Sequence, residues 1–298
     1  MIVILTALAV EQEAVLEHLV DVREHRHAQG TLFDVGTLVG RPDRQVALGV
    51  TGQGTLAAAT LTERAIAEFS PSAVLFAGIA GALRSKLAIG DVVVATKVHA
   101  YHGGKSEDEN FLVRPRSWEI SHELEQLARR IHRTRAWCEP LAPPGEAAVP
   151  EVHFEAIAAG DVVLNSRVSP IAQALHHNFN DAVAIEMESA GFASAAHLAG
   201  RIGTATVRGI SDFADGTKSV TDDRGSQRLA ARNAAAFTVA LAAAVPDDAT
   251  SSVAAPGKWP KPIPPITNRN VAREGATVGQ QNAVNNGAFT MNLTRGDR

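Results

Sequence analysis

The 298-residue sequence predicts an α/β fold, a sheet with helices on both faces. Short apolar runs rich in β-branched residues alternate along the chain with stretches of helical spacing. Glycines punctuate the changeovers, as at Gly52, Gly54, Gly78 and Gly90. The composition, 45% apolar and 20% charged, is enough to fill a substantial core.

Taken in order, Ile2–Leu8 is a continuous apolar run, the pattern of a strand covered on both faces. Ala9–Val20 has helical spacing, with Val10, Ala14, Leu16 and Leu19 on one face. Arg44–Val50 is a second strand, and Thr51-Gly52-Gln53-Gly54 turns into a helix over Thr55–Phe69. Ala73–Ala77 and Asp91–Val98 are further strands, the first followed by a Gly78-Ile79-Ala80-Gly81 turn. Ala100–Ser117 is polar and glycine-rich and reads as a long loop, a length usually tied to function or disorder. Trp118–His132 is expected to be helical, Leu141–Pro150 a proline-rich connection, and Val152–Val163 strand-bearing. Pro170–His177 and Ser189–Ala199 are helices on either side of the strand Ala182–Met187. Gly203–Ile210 is the last core strand and Arg224–Val245 the last long helix.

Beyond Val245 the composition changes. Residues 246–267 form a proline-rich linker, and 268–298 are polar with few large apolar groups. That segment is expected to be a disordered or partner-binding tail, with a weak alternation through Val278, Val284, Phe289 and Met291.

Net charge of −4 gives no broad basic face for nucleic acid. The lone Cys138 rules out an intrachain disulfide and lacks an activating pair. The apolar start lacks a basic n-region, and Glu11, Gln12 and Glu13 follow it, so a buried strand explains it better than a signal peptide. Leu229–Val245 is short for a membrane span and holds Arg232 and Asn233. A cytoplasmic protein is expected. No spacing among the histidines suggests a metal site, and His99, Tyr101 and His102 are expected to be structural.

Three carboxylates, Glu13, Glu188 and Asp212, sit after buried strands. Ligands of open α/β sheets bind outside the carboxyl ends of the strands, so the three can converge on one rim. Singly, each has a plainer explanation: Glu13 as a solvated first-turn acid, Asp212 or Asp215 as a turn cap. Glu186 and Glu188, flanking Met187 at the end of an apolar strand, need buried partners.

Four segments occur in order: Ala9-Val10-Glu11-Gln12-Glu13, Ala77-Gly78-Ile79-Ala80-Gly81, Ala184-Ile185-Glu186-Met187-Glu188 and Arg208-Gly209-Ile210-Ser211-Asp212. Together they resemble the purine nucleoside phosphorylase and uridine phosphorylase superfamily. The branch they resemble most is the 5′-methylthioadenosine/S-adenosylhomocysteine nucleosidases, in a divergent form similar to bacterial defence-type domains. The resemblance covers residues 1–245 and implies a single phosphorylase/nucleosidase-type domain with a central mixed, mostly parallel sheet flanked by helices.

It also implies roles. Asp212 would donate a proton to the purine N7, with Ser211 holding its loop. Glu13 would orient or deprotonate water. Glu188, with Glu186 beside it, would take the ribose hydroxyls, and Met187 would pack beneath the sugar. Val163 and Leu164 would wall the base, although Val163 stands where the family often has a stacking Phe. Gly78 and Ile79 belong to the binding turn, Ile79 in place of a common Ser. Phosphorylases of the superfamily place an Arg before this turn to hold phosphate; Phe76 and Ala77 stand here, so water is the expected nucleophile. The loop covering the five-prime substituent in the nucleosidases is apolar, whereas here it carries Lys105, Arg114 and Arg116. These could grip phosphate groups, or pair with Glu107, Asp108 and Glu109 on a solvated loop. The resemblance implies no cofactor, a small-molecule purine nucleoside or nucleotide as ligand, and a homo-oligomer; a phosphorylase or a nucleotide-sensing module are the alternatives.

Overall fold

The computed structural model describes residues 1–108, 111–135, 137–138, 150–200, 202–217 and 225–246. Two units divide the chain, Met1–Ser251 and Ser252–Arg298, and every described residue falls in the first. Residues 141–149 of the proline-rich connection, the Arg224 end of the last helix, and the linker and tail from 247 onward lie outside the described residues.

A 10-stranded mixed sheet forms the centre, in the order β11-β10-β6-β12-β5-β1-β4-β3-β2, with β9 against β6. Its middle is parallel: β1 (Ile2–Thr6) lies between β4 (Arg41–Val50) and β5 (Ala73–Ala82), and β12 (Gly203–Asp212) runs parallel to β5 on the other side. β6 (Val92–Ala100), β10 (Val152–Ala159) and β11 (Ala182–Glu186) form a second parallel group, antiparallel to the first where β6 meets β12. β11 also pairs with β5, Ile185 opposite Gly81, so these five strands close into a ring. That closure brings the carboxyl ends of β5, β11 and β12 to one place.

Strand periodicity explains why the sheet is covered twice. In β1, Ile2 and Ile4 pack into a cluster with α1 (Ala9–Leu16), α3 (His122–Thr134) and α6 (Ser226–Ala244). Val3 and Leu5 point the other way, against α2 (Thr55–Phe69) and α5 (Ser189–Ala199). α4 (Pro170–Asn178) starts with Pro170 behind a Ser169 cap whose hydroxyl accepts from the Ala172 N–H. No helix among the described residues is long and apolar enough to cross a membrane.

Three local readings of the sequence change. The helix read over Ala9–Val20 ends at Leu16, because Leu19–Arg26 pairs as β2 with β3 (Leu32–Leu38) at the sheet edge. β2 is charged and mostly exposed, which protects an edge but hides its periodicity. The polar loop Ala100–Ser117 contains a hairpin, β7 (Gly104–Ser106) with β8 (Phe111–Val113), and the start of β9 (Arg116–Glu119); the helix α3 begins only at His122. Gly78-Ile79-Ala80-Gly81 is not a turn: β5 runs through it to Ala82.

The last helix crosses β12 at Gly209, where a Cβ would stand 2.0 Å from the carbonyl oxygen of Ala230. Backbone approach of this kind leaves no room for a methyl group. Gly209→Ala is expected to cost about 1–3 kcal/mol, as other overpacking substitutions do, and thermal unfolding should show a Tm several degrees lower; an unchanged Tm would contradict this packing.

Candidate active site

Where β1, β5, β10, β11 and β12 end, their loops enclose a cavity of about 270 Å³. Ala7 and Leu8 after β1 line it, with Ile79–Gly81 of β5 and Val162–Leu164 after β10. Glu186–Glu188 at the end of β11 and Ser211–Asp212 at the end of β12 complete the strand side. Glu11, Gln53 and Gln227 come from α1, the turn before α2 and the first turn of α6.

Asp212 is 2% exposed. Its Oδ1 accepts from the Ala214 N–H at 2.9 Å, and the Ser211 hydroxyl lies 3.0 Å from Oδ2. The same hydroxyl is 3.4 Å from the carbonyl oxygen of Ala80, and its one proton serves one acceptor at a time. Gly81 makes space for the acid, since a Cβ there would fall 2.7 Å from Oδ1.

Glu186, Glu188 and Glu11 surround a fully buried cation, Arg208 of β12. Arg208 Nη2 donates to Glu186 Oε2 and, at 3.0 Å, to the Ser189 hydroxyl, and lies 3.9 Å from Glu188 Oε2. Its guanidinium sits 4.5 Å over the Phe76 ring. Nε and Nη1 have no hydrogen-bond partner among the described residues. Arg208 stands opposite Gly78 in the β12–β5 register, and a Cβ at Gly78 would lie 1.8 Å from Nη1 and 2.8 Å from Glu11 Oε1. Only a glycine lets these two groups converge over β5.

Backbone N–H groups fix all three carboxylates. Glu11 accepts from Ala7 (2.7 Å), Leu8 (2.9 Å) and Ile79 (2.9 Å). Glu186 accepts from Glu188 N and Ser189 N at the start of α5. Glu188 accepts from Gly54 N at 3.1 Å, in the turn entering α2. Burial pushes the Glu11 carboxyl up, opposed by the Arg208 charge and by the N–H groups of Leu8, Ala7 and Ile79. Burial, then the charge of Glu186, raises Glu188 to about 7, against the pull of Arg208 and Gly54 N–H.

Of the site residues expected from the sequence, Asp212, Ser211, Glu188, Met187, Glu186, Val163, Leu164 and Ile79 lie around one cavity. Glu13 is not there. It is exposed on α1, because two helical residues rotate a side chain by roughly 200° and leave Glu11 facing the strands. Gly78 does not line the cavity and serves as clearance beneath it. Lys105, Arg114 and Arg116 are exposed on the β7–β8 hairpin and β9, away from the lining. Lys105 pairs with Glu107 at 2.6 Å and Arg116 stacks 5.4 Å over Trp118, which is the solvated-loop alternative. No lysine or arginine among the described residues lines the cavity. Nor, among them, does any group of three or more His, Cys, Asp or Glu side chains have a geometry that could hold a metal ion.

Sequence reasoning missed Glu11, Arg208, Gln53 and Gln227. A signal existed for Arg208: an arginine inside an apolar strand must find buried partners, and Glu186 and Glu188 are acids with the same need.

The phosphorylase superfamily model matches residues 1–243. A 5′-methylthioadenosine/S-adenosylhomocysteine nucleosidase of Shewanella sp. (strain W3-18-1) is 30% identical over 217 residues, 71% of this chain and 87% of the relative. Among solved structures, that of the Neisseria meningitidis 5′-methylthioadenosine/S-adenosylhomocysteine nucleosidase, in complex with methylthio-immucillin-A, superimposes with a TM-score of 0.67 at 24% identity. It covers 82% of this chain and 99% of that one. The futalosine hydrolase of Helicobacter pylori strain 26695 gives 0.65 at 24% identity, over 80% and 96%. At these identities the structural matches speak to the fold. The chain belongs to the phosphorylase superfamily, as an N-glycosyl hydrolase of its nucleosidase branch.

The raised Glu188 carboxyl predicts a pH effect with a definite sign. A group held at about 7 instead of 4.5 adds stability that is complete below 4.5 and is lost as pH rises through about 7. Replacing it with a neutral amide removes that dependence. The Tm of Glu188→Gln relative to wild type should therefore be more favourable at pH 8.5 than at pH 5.5. A difference that is flat or reversed across that range would refute the assignment.

Proposed function

We propose that this enzyme hydrolyses the N-glycosidic bond of an adenine nucleoside, the bond that 5′-methylthioadenosine and S-adenosylhomocysteine share, releasing free adenine. The observation that carries the reading is the convergence of Asp212, Glu11 and Glu188 on one buried cavity over Arg208. Cleavage builds positive charge on the ribose and negative charge on the departing base. Asp212 protonates N7 as the bond breaks. Glu11, in place of Glu13, orients and deprotonates the attacking water. Glu188 accepts hydrogen bonds from the ribose hydroxyls, and Met187 packs beneath the sugar. Val163 and Leu164 wall the base, with backbone groups around them reading its edge.

The physical chemistry supports these roles. Fixed carboxylates close to the anomeric carbon stabilise an oxocarbenium-like state without reorganising. Arg208 lies beneath these acids, fully buried, with Nη2 held by Glu186 and Ser189. Phe76 and Ala77, either of which stands where a phosphorylase would carry its phosphate-binding Arg, offer an anion no charge, and Phe76 lies under Arg208. Acid–base steps at Asp212 and Glu11 suffice for this chemistry, and no cofactor enters it. The chain works as a cytoplasmic homo-oligomer on a small-molecule purine, with the 268–298 tail available to a protein partner.

Purified enzyme in phosphate-free buffer should release adenine from adenine nucleosides. Asp212→Asn and Glu11→Gln should each lower kcat by about 10²–10⁴-fold, the usual worth of a positioned acid or base. Glu13→Gln should stay close to wild type. A requirement for added phosphate would make the enzyme a phosphorylase, and near-normal turnover by Asp212→Asn would remove the proton donor assigned here.

A further inference from the structure

Most of the polar side chains that line the cavity are already engaged. Glu11, Glu186, Glu188, Ser211 and Asp212 all hold backbone or side-chain partners. Two are not: the carboxamides of Gln53 and Gln227 make no hydrogen bond to any described residue, although both residues line the cavity. They also differ in depth. Glu11, Glu186, Glu188, Ser211 and Asp212 are at most 6% exposed, whereas Gln53 is exposed and Gln227 half-buried. The acids form the floor and the two amides stand at the mouth.

Different structural causes place the two amides. Gln53 belongs to the turn between β4 and α2, and the next residue, Gly54, has φ of 99° and donates its N–H to Glu188. Gln53 is thereby tied to the residue that takes the ribose hydroxyls in the function proposed above. Gln227 lies one turn before Ala230, the residue seated on Gly209, so the close α6–β12 crossing delivers its side chain to the cavity.

We propose that Gln53 and Gln227 are specificity-determining residues, selecting a nucleoside whose five-prime carbon carries a neutral hydrogen-bonding group, a hydroxyl, over the alkylthio or phosphate form. This rests on the nucleosidase reading, which commits the base to Asp212 and the ribose hydroxyls to Glu188. The remaining end of such a ligand is the exocyclic carbon, and the two amides are the lining polar groups left to meet it. A carboxamide both donates and accepts, which matches a hydroxyl and leaves a thioether with only a weak acceptor to offer. Phosphate is disfavoured for another reason. Beside the proton donor Asp212 the lining holds Glu11, Glu186 and Glu188 and, among the described residues, no lysine or arginine, so a dianion entering it meets like charge. The basic side chains of the β7–β8 hairpin and β9 do not reach the lining to offset this.

The test compares kcat/KM for adenosine, 5′-methylthioadenosine and AMP, which share base and ribose, in wild type and in Gln53→Leu/Gln227→Leu. Wild type should prefer adenosine. The double variant should move the adenosine to methylthioadenosine ratio by about 10-fold or more towards the thioether, since a site that hydrogen-bonds a hydroxyl discriminates more strongly than an apolar one. Both side chains are solvent-accessible and make no hydrogen bond to a described residue, so the Tm should hold. Should the variant lose its fold, Gln53→Met alone must still shift the ratio in the same direction. Base release from all three with wild type preferring methylthioadenosine, or a ratio unmoved by the substitutions, overturns this specificity while the nucleosidase reading stands. No base from any of them overturns both.

Discussion

A buried guanidinium at Arg208 is the constraint around which the end of this sheet is built. A cation with no exposure needs opposite charge and hydrogen-bond acceptors, or it costs several kcal/mol. Glu186 supplies the direct contact and Glu188 stands at 3.9 Å, both from the end of β11. The need is met only because β11 pairs with β5 and thereby reaches β12's neighbour. Gly78 is the matching requirement on β5, where any side chain would occupy the space of the guanidinium. Ring closure, the charge cluster and the glycine are one solution to one electrostatic problem.

The carboxylates outnumber the cation, and helix starts make up part of the difference. Glu186 accepts from N–H groups at the start of α5, Glu188 from the turn entering α2, and Glu11 from Leu8 at the start of its own helix, α1. Backbone donors at helix N-termini favour ionised acids. Burial opposes them, and at Glu188 it prevails far enough to hold the carboxyl at about 7. The same donors fix each acid in position before any ligand arrives, which is what electrostatic catalysis needs.

The parts of the fold legible in the sequence are those with a strong local pattern. β1 reads correctly because both its faces are buried, leaving a nearly continuous apolar run, and β12 reads as a strand from its β-branched residues although Arg208 interrupts it. β2 was hidden because an edge strand with charges on both faces has no period to detect. Gly78 and Gly81 look like turn residues, yet they lie in a strand and clear space for Arg208 and Asp212 from another strand. No local pattern can separate those two uses of glycine. Asp212 and Glu188 stood out as acids after apolar strands. Glu11 and Glu13 both follow β1, and choosing between them requires the helix phase set by α1 starting at Ala9. Gln53 and Gln227 are neutral residues in a turn and a helix start, and only the folded cavity gives them meaning.

One charge distribution bears on both the nucleophile and the substrate. The proposed reaction passes through a state with positive charge at the sugar, and a cavity floored by Glu11, Glu186 and Glu188 lowers the energy of that state more than of the neutral nucleoside. The same field raises the energy of a bound anion. A phosphorylase must accept phosphate beside the anomeric carbon and therefore needs a cation whose charge is free to meet it. Here the nearest cation lies beneath the lining, committed through Nη2 to Glu186 and Ser189 and stacked on Phe76. Turning Arg208 towards phosphate would leave Glu186 buried without its counter-ion, a loss larger than one surface contact with an anion returns. Water carries no charge and incurs no such cost, so the arrangement that stabilises Arg208 in the fold also favours hydrolysis as the reaction.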